Sequence, residues 1–213
     1  IPGLAEVRSA VWGPLVFVNL SGDAPEFEDY IRPLAARWKS HDLSALRRGE
    51  SCRYSIAGNW KLAIENFIDT YHVPYVHPTL NSYCDMKDHY LVADNDVYLG
   101  QGLSNYVPED EATGALPPFP GLTQDDSKLM EAFGVFPNLC MTLFHDSLRI
   151  ILVEPDGPNR CTERVEVFMV GEAATDPALA ATRKILVDRF REFNAEDIGI
   201  IENLQHAFET TAW

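Results

Sequence analysis

The order in which its hydrophobic patterns follow one another limits this chain more than any single motif. Helical periodicities come first, strand-like runs follow in close order, and one long helical pattern fills the C-terminal end. Glu26 to Trp38 puts Phe27, Tyr30, Ile31, Leu34 and Trp38 at helical spacing, and Asn59 to about His72 does the same with Trp60, Ala63, Ile64, Phe67, Ile68 and Tyr71. Runs rich in β-branched and aromatic residues predict strands over Val11–Leu20, Ser51–Ile56, Tyr90–Ala93, Asp96–Leu99, Phe133–Phe144, Leu148–Glu154 and Arg164–Val170. Thr175-Asp-Pro-Ala, with Pro177 near the first turn, opens a helix running through Phe190, Phe193, Ile201, Leu204 and Phe208. Strands and helices do not alternate, so the expectation is an α+β domain over residues 1–213, an antiparallel sheet with helices on one side.

A curved sheet around a long helix leaves an apolar cavity suited to a hydrophobic ligand. Tyr71, Tyr75, Phe133, Phe136, Leu143 and Phe144 are candidates to line it, although core packing is the commoner role of such side chains. The acidic, Pro- and Gly-rich stretch Pro108–Pro120 reads as a long surface loop.

Composition excludes several functions. With 17 basic and 32 acidic residues the net charge is −15, which repels nucleic acid and anionic membranes. No apolar run reaches the roughly 18–20 residues that span a bilayer, and no secretory signal opens the chain. A cytoplasmic protein is expected. Cys52, Cys84, Cys140 and Cys161 are scattered, which predicts reduced thiols and excludes a zinc knuckle or a self-contained iron–sulfur site.

The densest reactive cluster lies in Asn59–Pro78, where Asp69, His72 and His77 are spaced D-x-x-H-x-x-x-x-H. Asp69 and His72 share a helix face. Residues five apart would splay by roughly 140° on a regular helix. Pro74 is expected to break the helix and let His77 swing back toward His72. Two imidazoles and one carboxylate on one side of a divalent iron leave positions open for dioxygen and substrate. The acidic C-terminal helix offers the carboxylate, and Asp197, four residues before Ile201, is the candidate third ligand. Taken alone, a His pair of this spacing fits capping or surface histidines, and Asp197 fits a solvated helix charge. A zinc hydrolase is disfavoured because Val73 and Val76, not a glutamate base, flank the histidines. A non-enzymatic module carrying an apolar ligand would need no such set.

Asn59-Trp60-Lys61, Glu65-Asn66-Phe67, Asp69-x-Tyr71-His72 and His77-Pro78 resemble the catalytic domain of Rieske-type ring-hydroxylating oxygenase α subunits. The similarity extends to the Leu15–Leu20 strand and to Glu196-Asp197…Glu202…Gln205. It implies a helix-grip (START/Bet v 1-like) fold and a mononuclear non-haem Fe(II) held by His72, His77 and Asp197. It further implies that Asp69 bridges to the Rieske cluster of a neighbouring subunit and that Asn66 lies near the iron. Substrate would be a small organic molecule and O₂, the electron donor a ferredoxin or reductase, and the assembly a homotrimer. The family's 2Fe–2S cluster is held by a Cys-x-His and a Cys-x-x-His pair. Neither occurs here, so the Rieske domain is expected to be absent from this chain, leaving a catalytic-domain fragment. The Asn66–Asp69 spacing looks more like the demethylase and monooxygenase branches, including those acting on quaternary amines, than like naphthalene-type dioxygenases.

Overall fold

The computed structural model describes residues 3, 6–82, 85–93, 95–106 and 115–210. Its centre is a seven-stranded sheet of strands β3 (Leu46–Ile56), β4 (His89–Val92), β5 (Tyr98–Leu103), β6 (Met130–Val135), β7 (Leu139–Leu143), β8 (Ser147–Pro155) and β9 (Cys161–Val170). They lie in the order β3-β9-β8-β7-β6-β5-β4, and each neighbouring pair is antiparallel. Before the sheet come a two-stranded hairpin, β1 (Arg8–Trp12) and β2 (Leu15–Asn19), and helix α1 (Phe27–Arg37). Between β3 and β4 lie α2 (Trp60–Ile68) and two single-turn helices, α3 (Val73–Val76) and α4 (Pro78–Asn81). The 30-residue α5 (Ala180–Glu209) completes the expected α+β helix-grip arrangement.

The sheet buries both faces. Alternation along β8 sends Leu148 and Ile150 to a core shared with Ile31 and Leu34 of α1, and Ile151 and Val153 to a core shared with Ala63 of α2 and Phe190 and Ile201 of α5. Helices therefore cover both sides, not one. We refer to the α1 side as the outer face and the α2–α5 side as the inner face.

Two expected strands are hairpins. The run 11–20 reverses at Gly13-Pro14, where Gly13 adopts φ +55° and a Cβ would stand 2.8 Å from that of Leu43. The run 133–144 reverses through Phe136-Pro137-Asn138, so that Val135 pairs with Leu139. Both stretches are apolar on either side of the reversal, although Gly13-Pro14 and Pro137-Asn138 are themselves turn signals. In the proposed surface loop, residues 107–114 lie outside the described residues. The described part is not superficial: Leu116 and Phe119 are buried, and the Phe119 ring stands edge-on to His41 at 5.1 Å. Cys84 also lies outside the described residues, while Cys52, Cys140 and Cys161 are free thiols. No described helix is long and apolar enough to cross a membrane.

Candidate metal centre

Close packing brings α2 and α5 together on the inner face. A Cβ at Gly134 of β6 would meet Ile68 at 2.9 Å, and one at Gly58 would meet Ile201 at 2.7 Å. The Asn59 side chain caps α2 by accepting from Lys61 N at 2.9 Å. Glu202 and Gln205 of α5 accept from the backbone N–H groups of Ala57 and Asn59, each at 2.9 Å. The α2 start is thereby tied to α5 one turn or two beyond Asp197.

Helix α2 ends at Ile68, earlier than the periodicity predicts. Asp69 turns extended, and its carboxylate accepts from the backbone N–H groups of Tyr71 at 3.1 Å and His72 at 3.2 Å. This side-chain competition for backbone donors stops the helix. Pro74 has the opposite of its expected role: it sits in the first turn of α3, where a missing N–H costs nothing, and helps to start a helix. His77 then stands at the junction of α3 and α4, with Pro78 opening the next turn.

These local breaks turn both imidazoles toward α5. Nε2 of His77 lies 2.9 Å and Nε2 of His72 3.4 Å from the same oxygen, Oδ1 of Asp197. The rings are 5.1 Å apart at an interplanar angle of 73°. One ligand atom from each of the three residues lies within 4.8 Å of the others. The outward nitrogens are also engaged: His72 Nδ1 with Asp69 at 3.2 Å, and His77 Nδ1 with Glu196 at 2.6 Å. Asn66 of α2 hydrogen-bonds Asp197, and Gln101 of β5 donates to the Asp69 carbonyl at 3.4 Å.

The electrostatics ask for a cation. Burial works against the charged form of Asp197, yet hydrogen bonds from His72, His77 and Asn66 outweigh it and hold the carboxyl down at about 2. Burial likewise disfavours the His77 cation, but Asp197 and Glu196 override it and raise the imidazole above its ordinary value. The negative charge of Asp197 is thus favoured where the two Nε2 atoms converge on it. A divalent metal would bind there to that carboxylate and to neutral imidazole nitrogens. Carboxylates fixing the Nδ1 side of metal-binding histidines are the usual outer support of such sites. The donor set and its surroundings fit a two-His-one-carboxylate iron.

A family model described as ring hydroxylating alpha subunit (catalytic domain) matches residues 43–213. The chain belongs to this family. The chain is also similar to chloroplastic choline monooxygenases, at 25% identity to that of Amaranthus tricolor and 27% to that of Arabidopsis thaliana. Each match covers 99% of this chain but only 46% and 50% of the relative, so the chain spans about half their length. The fold is similar to that of the quaternary ammonium Rieske monooxygenase CntA, solved with an inhibitor, with a TM-score of 0.79 and 16% identity over 97% of this chain and 53% of that one.

Of the candidate residues, His72, His77, Asp197, Asp69 and Asn66 come together. The candidate pocket lining does not. Tyr71, Tyr75 and Phe136 are exposed, and Phe133 and Leu143 belong to the outer core. Only Phe144 borders an inner-face cavity, beside Phe190 and Phe193. Glu196 stood in the matching C-terminal pattern without a role, and the residues missed from sequence are Gln101 and the buried pair Glu163–Asn194, joined at 2.9 Å. Asn194 had a readable signal, since it falls three residues before Asp197 on the same helix face. Gln101 had none.

Proposed function

We propose that this chain is the catalytic domain of a Rieske-type oxygenase in which His72, His77 and Asp197 hold one mononuclear ferrous ion and a small organic substrate is oxidised with O₂ beside it. The observation that carries this reading is the convergence of both Nε2 atoms on one oxygen of Asp197. Iron held on one face by these residues supplies one-electron chemistry toward dioxygen, with positions left for substrate. Asp197 provides the fixed negative charge, and Asn66 holds it in place. Glu196 orients His77. Asp69 orients His72 and, with its side chain 39% exposed, reaches the surface, where electrons from a neighbouring subunit's 2Fe–2S cluster would enter. These 213 residues contain no Cys-x-His pair to hold that cluster. A ferredoxin or reductase would supply electrons to that cluster, and a homotrimer would set one subunit's cluster against the next subunit's Asp69. The relatives' names support the monooxygenase side over aromatic dioxygenation. A metal-free carrier of apolar ligands would have no use for three carboxylates gathered round two imidazoles.

Anaerobic titration with ferrous ion tests the reading. One iron per chain is expected, none in His72→Ala or Asp197→Ala, and full stoichiometry in Asp69→Asn. Iron retained by both of the first two variants would remove the assignment.

A further inference from the structure

The turn that carries Asp69 and His72 is also held from the sheet. Gln101 of β5 is buried, at 7% exposure, where an amide is costly unless both of its ends find partners. Its Nε2 lies 3.4 Å from the Asp69 carbonyl oxygen, and its Oε1 lies 3.1 Å from Nδ1 of His89 on β4.

The direction of these bonds is fixed twice over. A carbonyl only accepts, so the amide turns its NH₂ toward Asp69 and its oxygen toward His89. His89 Nε2 is buried with no hydrogen-bond partner among the described residues, so a proton there would be an unmatched donor. The proton belongs instead on Nδ1, where Gln101 Oε1 accepts it. His89 therefore donates to Gln101, and Gln101 donates to Asp69. The strand leaves Gln101 little freedom to do otherwise. On either side of it, a Cβ at Gly100 would stand 2.2 Å from the Ala132 carbonyl oxygen, and one at Gly102 2.2 Å from the Tyr90 ring.

We propose that Gln101 is a positioning residue for the metal centre. It anchors the Asp69 carbonyl to the sheet. The Asp69 carboxylate passes that position on to His72, whose backbone N–H and Nδ1 each lie 3.2 Å from it. The inference rests on the oxygenase reading and adds a residue that acts on a ligand at one remove. The bond from Gln101 to Asp69 is longer than most N–H···O bonds, so its loss should cost less affinity than loss of a partner touching the ligand itself.

Competition for ferrous ion between the whole chain and a chelator of known affinity tests this. Gln101→Met keeps the volume and loses both bonds. Its affinity should fall about three- to ten-fold, and the visible absorption bands of the cobalt(II)-loaded chain should shift, with circular dichroism confirming the fold. Asp69→Ala cuts the link to His72. If Gln101 acts through Asp69, adding Gln101→Met to Asp69→Ala should lower affinity by less than about two-fold more. Unchanged affinity in Gln101→Met, unshifted cobalt bands, or losses that multiply in the double variant each overturn the proposal. If Gln101→Met does not fold, Gln101→Asn, one methylene too short to span both partners, takes its place. Iron uptake separates the two readings. A native chain that takes up iron through Asp197, with Gln101→Met unaffected, keeps the oxygenase assignment and loses this one, whereas a native chain that takes up no iron loses both.

Discussion

The two faces of the sheet each bury a glutamate, and they treat it differently. On the outer face Glu131 accepts from Arg37 Nε at 2.9 Å, Trp38 Nε1 at 2.7 Å and Tyr90 Oη at 2.7 Å. Arg37 in turn lies over the Tyr90 and Phe133 rings. On the inner face Glu163 of β9 receives one donor, Asn194 Nδ2. Burial, with the nearby charge of Asp197, pushes its carboxyl up to about 7 against the pull of Asn194. A buried charge is tolerated when paired and hydrogen-bonded and is costly otherwise. The outer face meets that demand within the protein and fixes a shape. The inner face leaves it partly unmet near Asp197, the carboxylate that would bind a metal cation.

The largest expected effect breaks the outer arrangement. Glu131→Ala leaves the Arg37 charge and two further donors without their acceptor, and should cost about 3–5 kcal/mol of stability. Urea denaturation measures it. Iron stoichiometry in the variant that remains folded should be unchanged, because no triad residue touches this network. A variant that keeps its stability but loses iron would reverse the contrast between the faces.

The sequence carried the inner face better than the outer in one respect and worse in another. The long α5, its apolar spacing and the D-x-x-H-x-x-x-x-H cluster were all legible, because periodicity and residue chemistry are local signals. The Asp197 candidate was legible as a demand, since two imidazoles needed a carboxylate and the acidic helix offered one, and through the family resemblance of Glu196-Asp197…Glu202…Gln205. What local signals could not give was partnership across strands. Glu131 finds Arg37 and Trp38 94 and 93 positions away, and His77 finds Glu196 119 positions away. The pocket candidates failed for the same reason. Phe133 and Phe144 read alike as strand aromatics, yet they face opposite sides of the sheet.

The next effect sharpens the comparison through pH. The folded Glu163 carboxyl keeps its proton to about 7, whereas an unfolded one releases it near 4.5. Its contribution to stability is full below about 4.5, declines as pH rises between the two values, and is lost above about 7. The difference is about 3 kcal/mol. Glu163→Gln keeps an acceptor for Asn194 but carries no charge. The variant should match the native metal-free chain at pH 4 and exceed its stability by about 3 kcal/mol at pH 8. Parallel urea curves at the two pH values decide it, and equal stabilities at pH 8 would show that Glu163 is not strained.

The smallest effect falls where the two treatments of buried charge meet. Glu196 supports His77 in the manner of the outer network, by direct pairing, but it does so for a ring that faces the reactive side. With its Nδ1–H donating to Glu196 at 2.6 Å, His77 is fixed in rotation and presents Nε2 toward Asp197. Removing such a partner usually lowers metal affinity about 10–100-fold. Glu196→Ala should fall in that range, measured by competition for ferrous ion with a chelator of known affinity. Glu196→Gln should lie between, since its amide oxygen still accepts the Nδ1 proton but no longer adds negative charge. Global stability should change little in either, because the Glu196 side chain is 32% exposed and its loss leaves no sealed cavity. An unchanged affinity in Glu196→Ala would mean that packing against Phe193 alone orients the ring, and the inner face would then be more rigid than its hydrogen bonds imply.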